Sequence, residues 1–158
     1  LGDALATALL ALRGFSPQDF AQFHPGGALG KQLYLRVRDL YLLNERPAVF
    51  PHTNIQATII EMTSKRLGAT AVIRQDNHLV GIITDGDLRR MLEKGTDIGQ
   101  LTAQKVMNTS PKTIQKEALA VKALEKMRAH SITQLVVMDG QEYLGFIHLH
   151  DLVREGLI

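Results

Sequence analysis

The chain has no cysteine, no long apolar run and little net charge. The absence of cysteine among its 158 residues excludes a disulfide scaffold, a CxxC redox site and a cysteine-rich zinc site. The 18 Lys and Arg nearly balance the 16 Asp and Glu, and a formal charge of +2 is too near zero to indicate a nucleic-acid binder. No apolar run approaches the roughly 20 residues that cross a bilayer, and no signal peptide is visible. These absences predict a soluble, cytoplasmic protein without a nucleic-acid or membrane partner.

What is present is ordinary for a globular protein. Apolar residues make up 45% of the chain and charged residues 22%, which is typical of one domain or of two small domains that share a core. The first residue is Leu1 rather than Met. We therefore expect the chain to be cut from something larger.

The first segment predicts helices whose packing partners are not visible in the sequence. Residues Asp3 to Arg13 are apolar on almost every side, and such a helix is normally buried all round. The run Ser16-Pro17-Gln18-Asp19 predicts a second, short helix with Ser16 as its N-cap. Residues 24–30 (HPGGALG) are expected to break that helix, and residues 31–38 lead out as a helix or linker.

The rest of the chain is an internal repeat. Residues 81–90 (GIITDGDLRR) are echoed 64 residues later by residues 145–154 (GFIHLHDLVR). Val72 and Val136 share this offset, whereas Met62 and Met127 differ by 65. The difference predicts a one-residue gap between the methionine pair and the valine pair. A repeat of this length indicates two copies of one supersecondary unit.

Each copy is predicted to run strand, helix, strand, strand, helix. Helix faces follow from apolar spacing, strands from short β-rich runs, and turns from Asp, Asn and Gly. The predicted helix faces are Ile55/Ile59/Met62 and Ala120/Leu124/Met127, the strands are 71–73, 79–83, 135–138 and 143–147, and the closing helices are 88–93 and 151–156. We expect an α+β fold in which the two copies pack with pseudo-two-fold symmetry.

The two copies resemble a pair of cystathionine-beta-synthase (CBS) domains. The pattern is Gly-apolar-x-Thr-x-x-Asp, which Gly81, Thr84 and Asp87 match in full. The second copy keeps Asp151, but His148 stands where the pattern has Thr. The resemblance implies a tandem CBS pair, with one domain over residues 38–101 and the other over residues 102–158.

Residues 1–37 resemble the C-terminal tail of a sugar isomerase (SIS) domain. Residues 2–6, 24–30, 35–39 (LRVRD) and 84–90 (TDGDLRR) together resemble the arabinose-5-phosphate isomerase family, in which an SIS domain precedes a CBS pair. The resemblance implies a parent enzyme that interconverts D-ribulose 5-phosphate and D-arabinose 5-phosphate for the synthesis of Kdo, a sugar of lipopolysaccharide and some capsules. This chain alone is expected to be inactive, because the main body of the SIS domain is absent from it.

The same resemblance makes His24 a candidate catalytic residue. An aldose–ketose isomerisation moves a proton next to a carbonyl, and imidazole is suited to that task near neutral pH. The alternative is that His24 only caps the turn before Pro25.

A CBS pair commonly binds a regulatory nucleotide in the cleft between its copies, and no required cofactor is implied. In the first copy Asp87 could accept hydrogen bonds from ribose hydroxyls, and Thr84 and the following helix N-terminus could face phosphate. Gly81 completes the motif, and Arg89 or Arg90 could supply positive charge. The alternative is that Asp87 is only a helix N-cap.

The second site, with His148 and Asp151, is expected to be the weaker one, because an imidazole is bulkier than a hydroxyl. His148 and His150 alternate on a predicted strand, but no third ligand is visible, so no metal site is predicted.

The ligand and the assembly stay open. AMP or ATP is the usual nucleotide of a CBS pair, and CMP-Kdo, the activated end product, would suit feedback inhibition. A homodimer or homotetramer is expected, with the Ile59/Met62 and Leu124/Met127 faces either at the interface or in the core. The alternatives to a regulatory module are a stand-alone nucleotide-sensing CBS protein and a purely structural oligomerisation module.

Overall fold

The computed structural model describes residues 4, 14, 16–24 and 26–158. Apart from Ala4, the helix predicted over Asp3 to Arg13 lies outside the described residues.

Two short helices precede the repeats, α1 (Pro17–Phe23) and α2 (Ala28–Tyr34). The predicted cap of α1 is confirmed, because the Asp19 amide donates to Ser16 Oγ at 3.1 Å and the Ser16 amide donates to Asp19 Oδ2 at 2.8 Å. The break predicted over residues 24–30 is wrong for residues 28–30, because α2 already begins at Ala28. Its N-cap, Gly27, has an extended backbone.

The order strand, helix, strand, strand, helix is confirmed in both copies. The first repeat contains β1 (Ala48–Val49), α3 (Ile55–Lys65), β2 (Ala69–Ile73), β3 (Leu79–Thr84) and α4 (Asp85–Glu93). After α5 (Ala103–Val106), the second repeat contains β4 (Thr113–Gln115), α6 (Ala120–His130), β5 (Gln134–Asp139), β6 (Glu142–His148) and α7 (Leu149–Arg154). Short 3-10 turns lie at Val37–Asp39, Tyr41–Leu43 and Ile98–Gln100.

Each repeat forms a three-stranded sheet whose first strand runs parallel to the second and whose third runs antiparallel to it. Val72 pairs with Gly81 and Val137 pairs with Gly145, so Val72 corresponds to Val137 rather than to Val136. The one-residue gap therefore lies in the hairpin, where the pair Ile73–Leu79 encloses five residues and the equivalent pair Met138–Tyr143 encloses four.

The segment that precedes each first strand packs against the other repeat. Val37 and Leu40 lie in the core of the second repeat, together with residues of α6 and β5. Ala103 of α5 lies in the core of the first repeat, beside Met62 and Val72. The two sheets also share apolar residues across their interface. Exchange of the leading segments thus joins the two copies into one folded unit.

The predicted helix faces belong to the core except at Ile59, which is only partly buried. Met62, Leu124 and Met127 are 3%, 4% and 1% exposed, so these side chains are not available to another chain. The same helix that buries Met62 presents Ile60 to solvent, with 68% of that residue exposed. In the part of the chain that the structure describes, no helix is both long and apolar enough to cross a bilayer.

Candidate functional site

Thr84 and Asp87 hold each other at the start of α4. Thr84 ends β3 and is the N-cap of the helix, and its Oγ1 accepts from the Asp87 amide at 3.4 Å. Asp87 Oδ2 in turn accepts from the Thr84 amide at 2.8 Å and from the Thr84 hydroxyl at 2.9 Å. The pair is a reciprocal capping box. The interpretation of Asp87 as the N-cap is therefore wrong in position, because Thr84 caps the helix and Asp87 is its third residue.

Gly81 allows a neighbouring segment to approach β3. A Cβ at this position would lie 2.6 Å from Met107 Sδ and 2.9 Å from the Asn108 carbonyl oxygen. That segment pairs with the strand, because the Asn108 amide donates to the Ile82 oxygen at 2.8 Å and the Ile82 amide donates back at 3.0 Å. Gly81 thus shapes the site through packing, by bringing Asn108 to its edge.

An open cleft of about 390 Å³ lies between the repeats beside Thr84. Its walls come from the end of β3, the segment before β4 and the loop that joins α6 to β5. The lining residues are Ile82, Thr84, Asn108, Ser110, Pro111, Lys112, His130, Ser131, Ile132, Thr133 and Gln134. Apolar side chains with a few convergent polar groups are typical of a small-molecule site. We refer to this cavity as the Thr84 cleft.

The other predicted residues of the first motif lie on a different surface. Asp87 and Arg90 line a depression of about 330 Å³ on the α5 side of α4, together with Lys94 and Lys105. The Arg90 guanidinium forms a salt bridge with Asp87 Oδ1, so both carboxylate oxygens of Asp87 have partners within the chain. Arg89 is exposed and lines neither cavity. The structure therefore brings Thr84 and Asp87 into contact but divides the predicted cation and carboxylate from the cleft.

The second motif is more closed than the first. His148 is the N-cap of α7, and its Nδ1 accepts from the His150 amide at 3.1 Å. Asp151 is 3% exposed, and its Oδ2 accepts from the His148 amide and from Asn44 Nδ2, each at 2.7 Å. The cavity here measures about 150 Å³, and Arg66 is among its lining residues. Burial, with a smaller contribution from His150, lowers the pKa of His148 below its usual value.

Aromatic side chains fill the space beside the second motif. Tyr143 donates its hydroxyl to the Pro47 oxygen at 2.6 Å and packs edge-on against Phe146 at a ring-centroid distance of 6.0 Å. The Arg46 guanidinium lies 4.5 Å from the centroid of the Tyr143 ring and donates to the Tyr143 oxygen at 3.0 Å. Burial raises the pKa of Tyr143 well above its usual value.

The CBS domain model matches residues 37–94 and 103–157. The chain belongs to the CBS domain family. It is 46% identical over 160 residues to arabinose 5-phosphate isomerase KdsD of Pseudomonas aeruginosa and 45% identical over 159 residues to KdsD of Salmonella typhi. These matches cover 100% of this chain but 49% and 48% of the two relatives, so the chain spans about half their length.

A solved structure shows the same fold. The CBS domain protein PAE2072 from Pyrobaculum aerophilum, complexed with AMP, is 25% identical to this chain with a TM-score of 0.66. The match covers 75% of this chain and 90% of that protein. The predicted α+β tandem CBS pair is therefore confirmed.

The two histidines of the second motif do not lie on one strand. His148 and His150 were expected to alternate on one strand, but β6 ends at His148 and His150 lies in α7. Their rings nevertheless stack, with centroids 4.6 Å apart and planes inclined by 21°. Among the described residues, no three His, Asp or Glu side chains are grouped to hold a metal ion.

His24 lies on the exposed connection between α1 and α2, where its carbonyl oxygen accepts from the Gly27 amide at 3.1 Å. Helix α2 is anchored to the second repeat of the CBS pair, because Lys31 Nζ lies 3.2 Å from Glu155 Oε2.

Asn44 was not predicted to take part in the second site, although it lines the second cavity and donates to Asp151. The packing of Arg46 on Tyr143 of β6 was not predicted either. A size comparison of the two aligned copies could have found part of this. Tyr143 and Phe146 stand in the second repeat where the first has the smaller Leu79 and Ile82.

Proposed function

We propose that the chain is the regulatory, nucleotide-binding CBS pair of a D-arabinose-5-phosphate isomerase, and that the nucleotide binds in the Thr84 cleft. The observation that carries this proposal is the open cleft of about 390 Å³ between the repeats. Ile82 and Ile132 offer apolar contact to a base, whereas the Lys112 ammonium is suited to a phosphate. The volume of the Thr84 cleft falls within the range of about 300 to 1,000 Å³ that is typical of small-molecule pockets.

Two relationships support the proposal. The chain is 46% identical to a KdsD arabinose 5-phosphate isomerase, and it shares its fold with a CBS protein whose structure contains AMP. AMP and ATP are therefore the first nucleotides to examine. CMP-Kdo is the further candidate, because an activated end product suits feedback inhibition.

We propose that the two motifs bind unequally, with the Thr84 cleft as the principal site. The cavity at the second motif is about 150 Å³, against about 390 Å³ for the cleft. His148 and Asp151 are there engaged in the cap of α7.

We infer that the parent enzyme interconverts D-ribulose 5-phosphate and D-arabinose 5-phosphate, with His24 as an acid/base residue. The chain alone is inactive on this proposal, because it spans about half the length of the KdsD relatives. A turnover assay of this chain with D-arabinose 5-phosphate tests the point. Activity above background would contradict the proposed inactivity.

A ligand titration tests the regulatory proposal. We expect at least one of AMP, ATP, CMP and CMP-Kdo to raise the melting temperature progressively with its concentration, because a ligand that binds only the native state stabilises it by mass action. Lys112→Ala should weaken that binding by roughly tenfold, in line with the loss of one charge-assisted contact.

The matched control is Lys122→Ala, which removes an exposed lysine that pairs with Glu125 on α6. Equal nucleotide affinity of the two variants would show that Lys112 does not contact the nucleotide. The absence of binding by all four nucleotides would favour the structural oligomerisation module instead.

A further inference from the structure

We infer that the nucleotide in the Thr84 cleft carries a second anionic group beyond its first phosphate, and that Arg66, His148 and His150 receive this group. The inference rests on the proposed function, since it concerns the same ligand. It narrows the ligand class from nucleotides in general to those with an acidic extension, such as a polyphosphate or an acidic sugar.

The Thr84 cleft continues into a second cavity. A groove of about 360 Å³ runs between the two repeats, and it shares Thr84, Thr133 and Gln134 with the Thr84 cleft. Its far end is lined by Arg66 and His148, which also line the small cavity of the second motif. A ligand seated in the cleft can therefore extend past Thr84 without leaving the protein surface.

Hydrogen-bond donors lie at the far end of the groove. Arg66, His148 and His150 all line the groove, and Arg154 lies in the adjoining small cavity. Arg66 forms no salt bridge with any residue that the structure describes. An unpaired guanidinium beside two stacked imidazoles is suited to a phosphate or a carboxylate, because the guanidinium offers two parallel N–H donors to such groups.

An acidic side chain lies in the same groove. Asp85 also lines the groove, and its amide donates to the Gly68 oxygen at 3.0 Å. A carboxylate repels anions but accepts hydrogen bonds from hydroxyls. A hydroxyl-bearing portion of the ligand thus fits beside Asp85, with the acidic group further along at Arg66.

The backbone at Arg66 offers a clean variant. Arg66 ends α3 with a left-handed φ of 59°, and Ser131, which ends α6, has a φ of 53°. Arg66→Ser therefore places in the first repeat the residue that already occupies the same conformation in the second. We expect this variant to fold and to lose only the guanidinium.

Isothermal titration calorimetry with AMP, ATP, CMP, CTP and CMP-Kdo tests the inference on the wild-type chain, Arg66→Ser and Arg128→Ser. Arg128 is an exposed arginine in the last turn of α6, outside the cleft and the groove, and serves as the control. For at least one base, we expect the triphosphate or the acidic-sugar nucleotide to bind the wild type about tenfold more tightly than the monophosphate. Arg66→Ser should abolish that difference while leaving monophosphate affinity unchanged, and Arg128→Ser should preserve it.

The outcomes separate this inference from the proposed function. Equal binding of monophosphate, triphosphate and CMP-Kdo to the wild type, or an unchanged advantage of the extended ligand in Arg66→Ser, would overturn the inference and leave nucleotide binding intact. An equal loss in Arg66→Ser and Arg128→Ser would show a general charge effect and would also overturn it. If none of the five nucleotides bound the wild type, both the inference and the proposed adenine or cytidine ligand would fail.

Discussion

Asn44 closes over Asp151, with its side-chain amide Nδ2 donating to the carboxylate Oδ2 at 2.7 Å across 107 positions of the chain. The same amide donates to the Phe146 oxygen at 3.1 Å. In the other repeat Asn108 lies in the equivalent place, where its backbone amide donates to the Ile82 oxygen and its side chain accepts from Ser110. One asparagine therefore covers the second motif, whereas the other stands at the edge of an open cleft.

We expect Asn44→Ala to lower the free energy of unfolding by about 1 to 3 kcal/mol, because a buried carboxylate loses a hydrogen-bond donor. Urea denaturation of the chain measures the effect. The control is Asn108→Ala, whose side chain accepts a single bond from Ser110 in an exposed turn, and its cost should stay below about 1 kcal/mol. Equal losses in the two variants would show that the contact with Asp151 contributes nothing particular.

Gly81→Ala should destabilise the fold by about 1 to 3 kcal/mol, as overpacking does. The added Cβ would meet Met107 Sδ at 2.6 Å, which can move, and the Asn108 backbone oxygen at 2.9 Å, which is held by the pairing with Ile82. Thermal unfolding measures the change.

The matched control for that variant is Gly86→Ala, five residues further along the same motif. A Cβ there would have no neighbour closer than 3.5 Å, and Gly86 lies within α4, where alanine is the better helix former. We expect this variant to be neutral or slightly stabilising. A melting temperature lowered as much as in Gly81→Ala would refute the packing account of Gly81.

Acid should destabilise the fold in part through His148. Its pKa is lowered in the folded chain, first by burial, so the unfolded chain binds its proton more readily. The contribution of neutral His148 to the free energy of unfolding is fully present above pH 6.5, the ordinary pKa of histidine. It is lost as the pH falls below 6.5 and through the lowered pKa of the folded state. Protonation of Nδ1 would also remove the acceptor of the His150 amide.

Melting temperatures of the wild type and His148→Thr between about pH 5 and pH 8 test this account. Thr retains a good N-cap but does not titrate in this range. We expect the variant to lose less stability than the wild type between pH 7 and pH 5. Parallel curves for the two proteins would show that His148 does not contribute to the pH dependence.

Much of the fold follows from local patterns, and the site follows from them only in part. Short β-rich runs and helical spacing located the second and third strand of each repeat and the two long helices, because these signals arise within a few residues of each other. The short first strands, β1 and β4, were not located. Helix α4 begins at Asp85 rather than at the predicted Leu88, because the capping box of Thr84 and Asp87 draws the intervening residues into the first turn.

The closure of the second motif could not be read in the same way. The contact between Asn44 and Asp151 depends on the exchange of leading segments between the repeats, and no local pattern encodes that exchange. The salt bridge between Asp87 and Arg90 could not be predicted either. Opposite charges three positions apart on an exposed helix surface often remain separately hydrated instead of forming a salt bridge.

The last prediction contrasts the two motif carboxylates. Asp87→Asn should weaken nucleotide binding by about fivefold, because Asp87 lies outside the Thr84 cleft but holds the hydroxyl of Thr84, which lines it. Asp151→Asn should change binding by less than about twofold yet lower the melting temperature more, because Asp151 is 3% exposed and accepts from both Asn44 and His148. Calorimetric titration and thermal unfolding of both variants measure the two quantities. Equal losses of affinity would contradict unequal sites, and an unchanged affinity in Asp87→Asn would assign that carboxylate to the capping box alone.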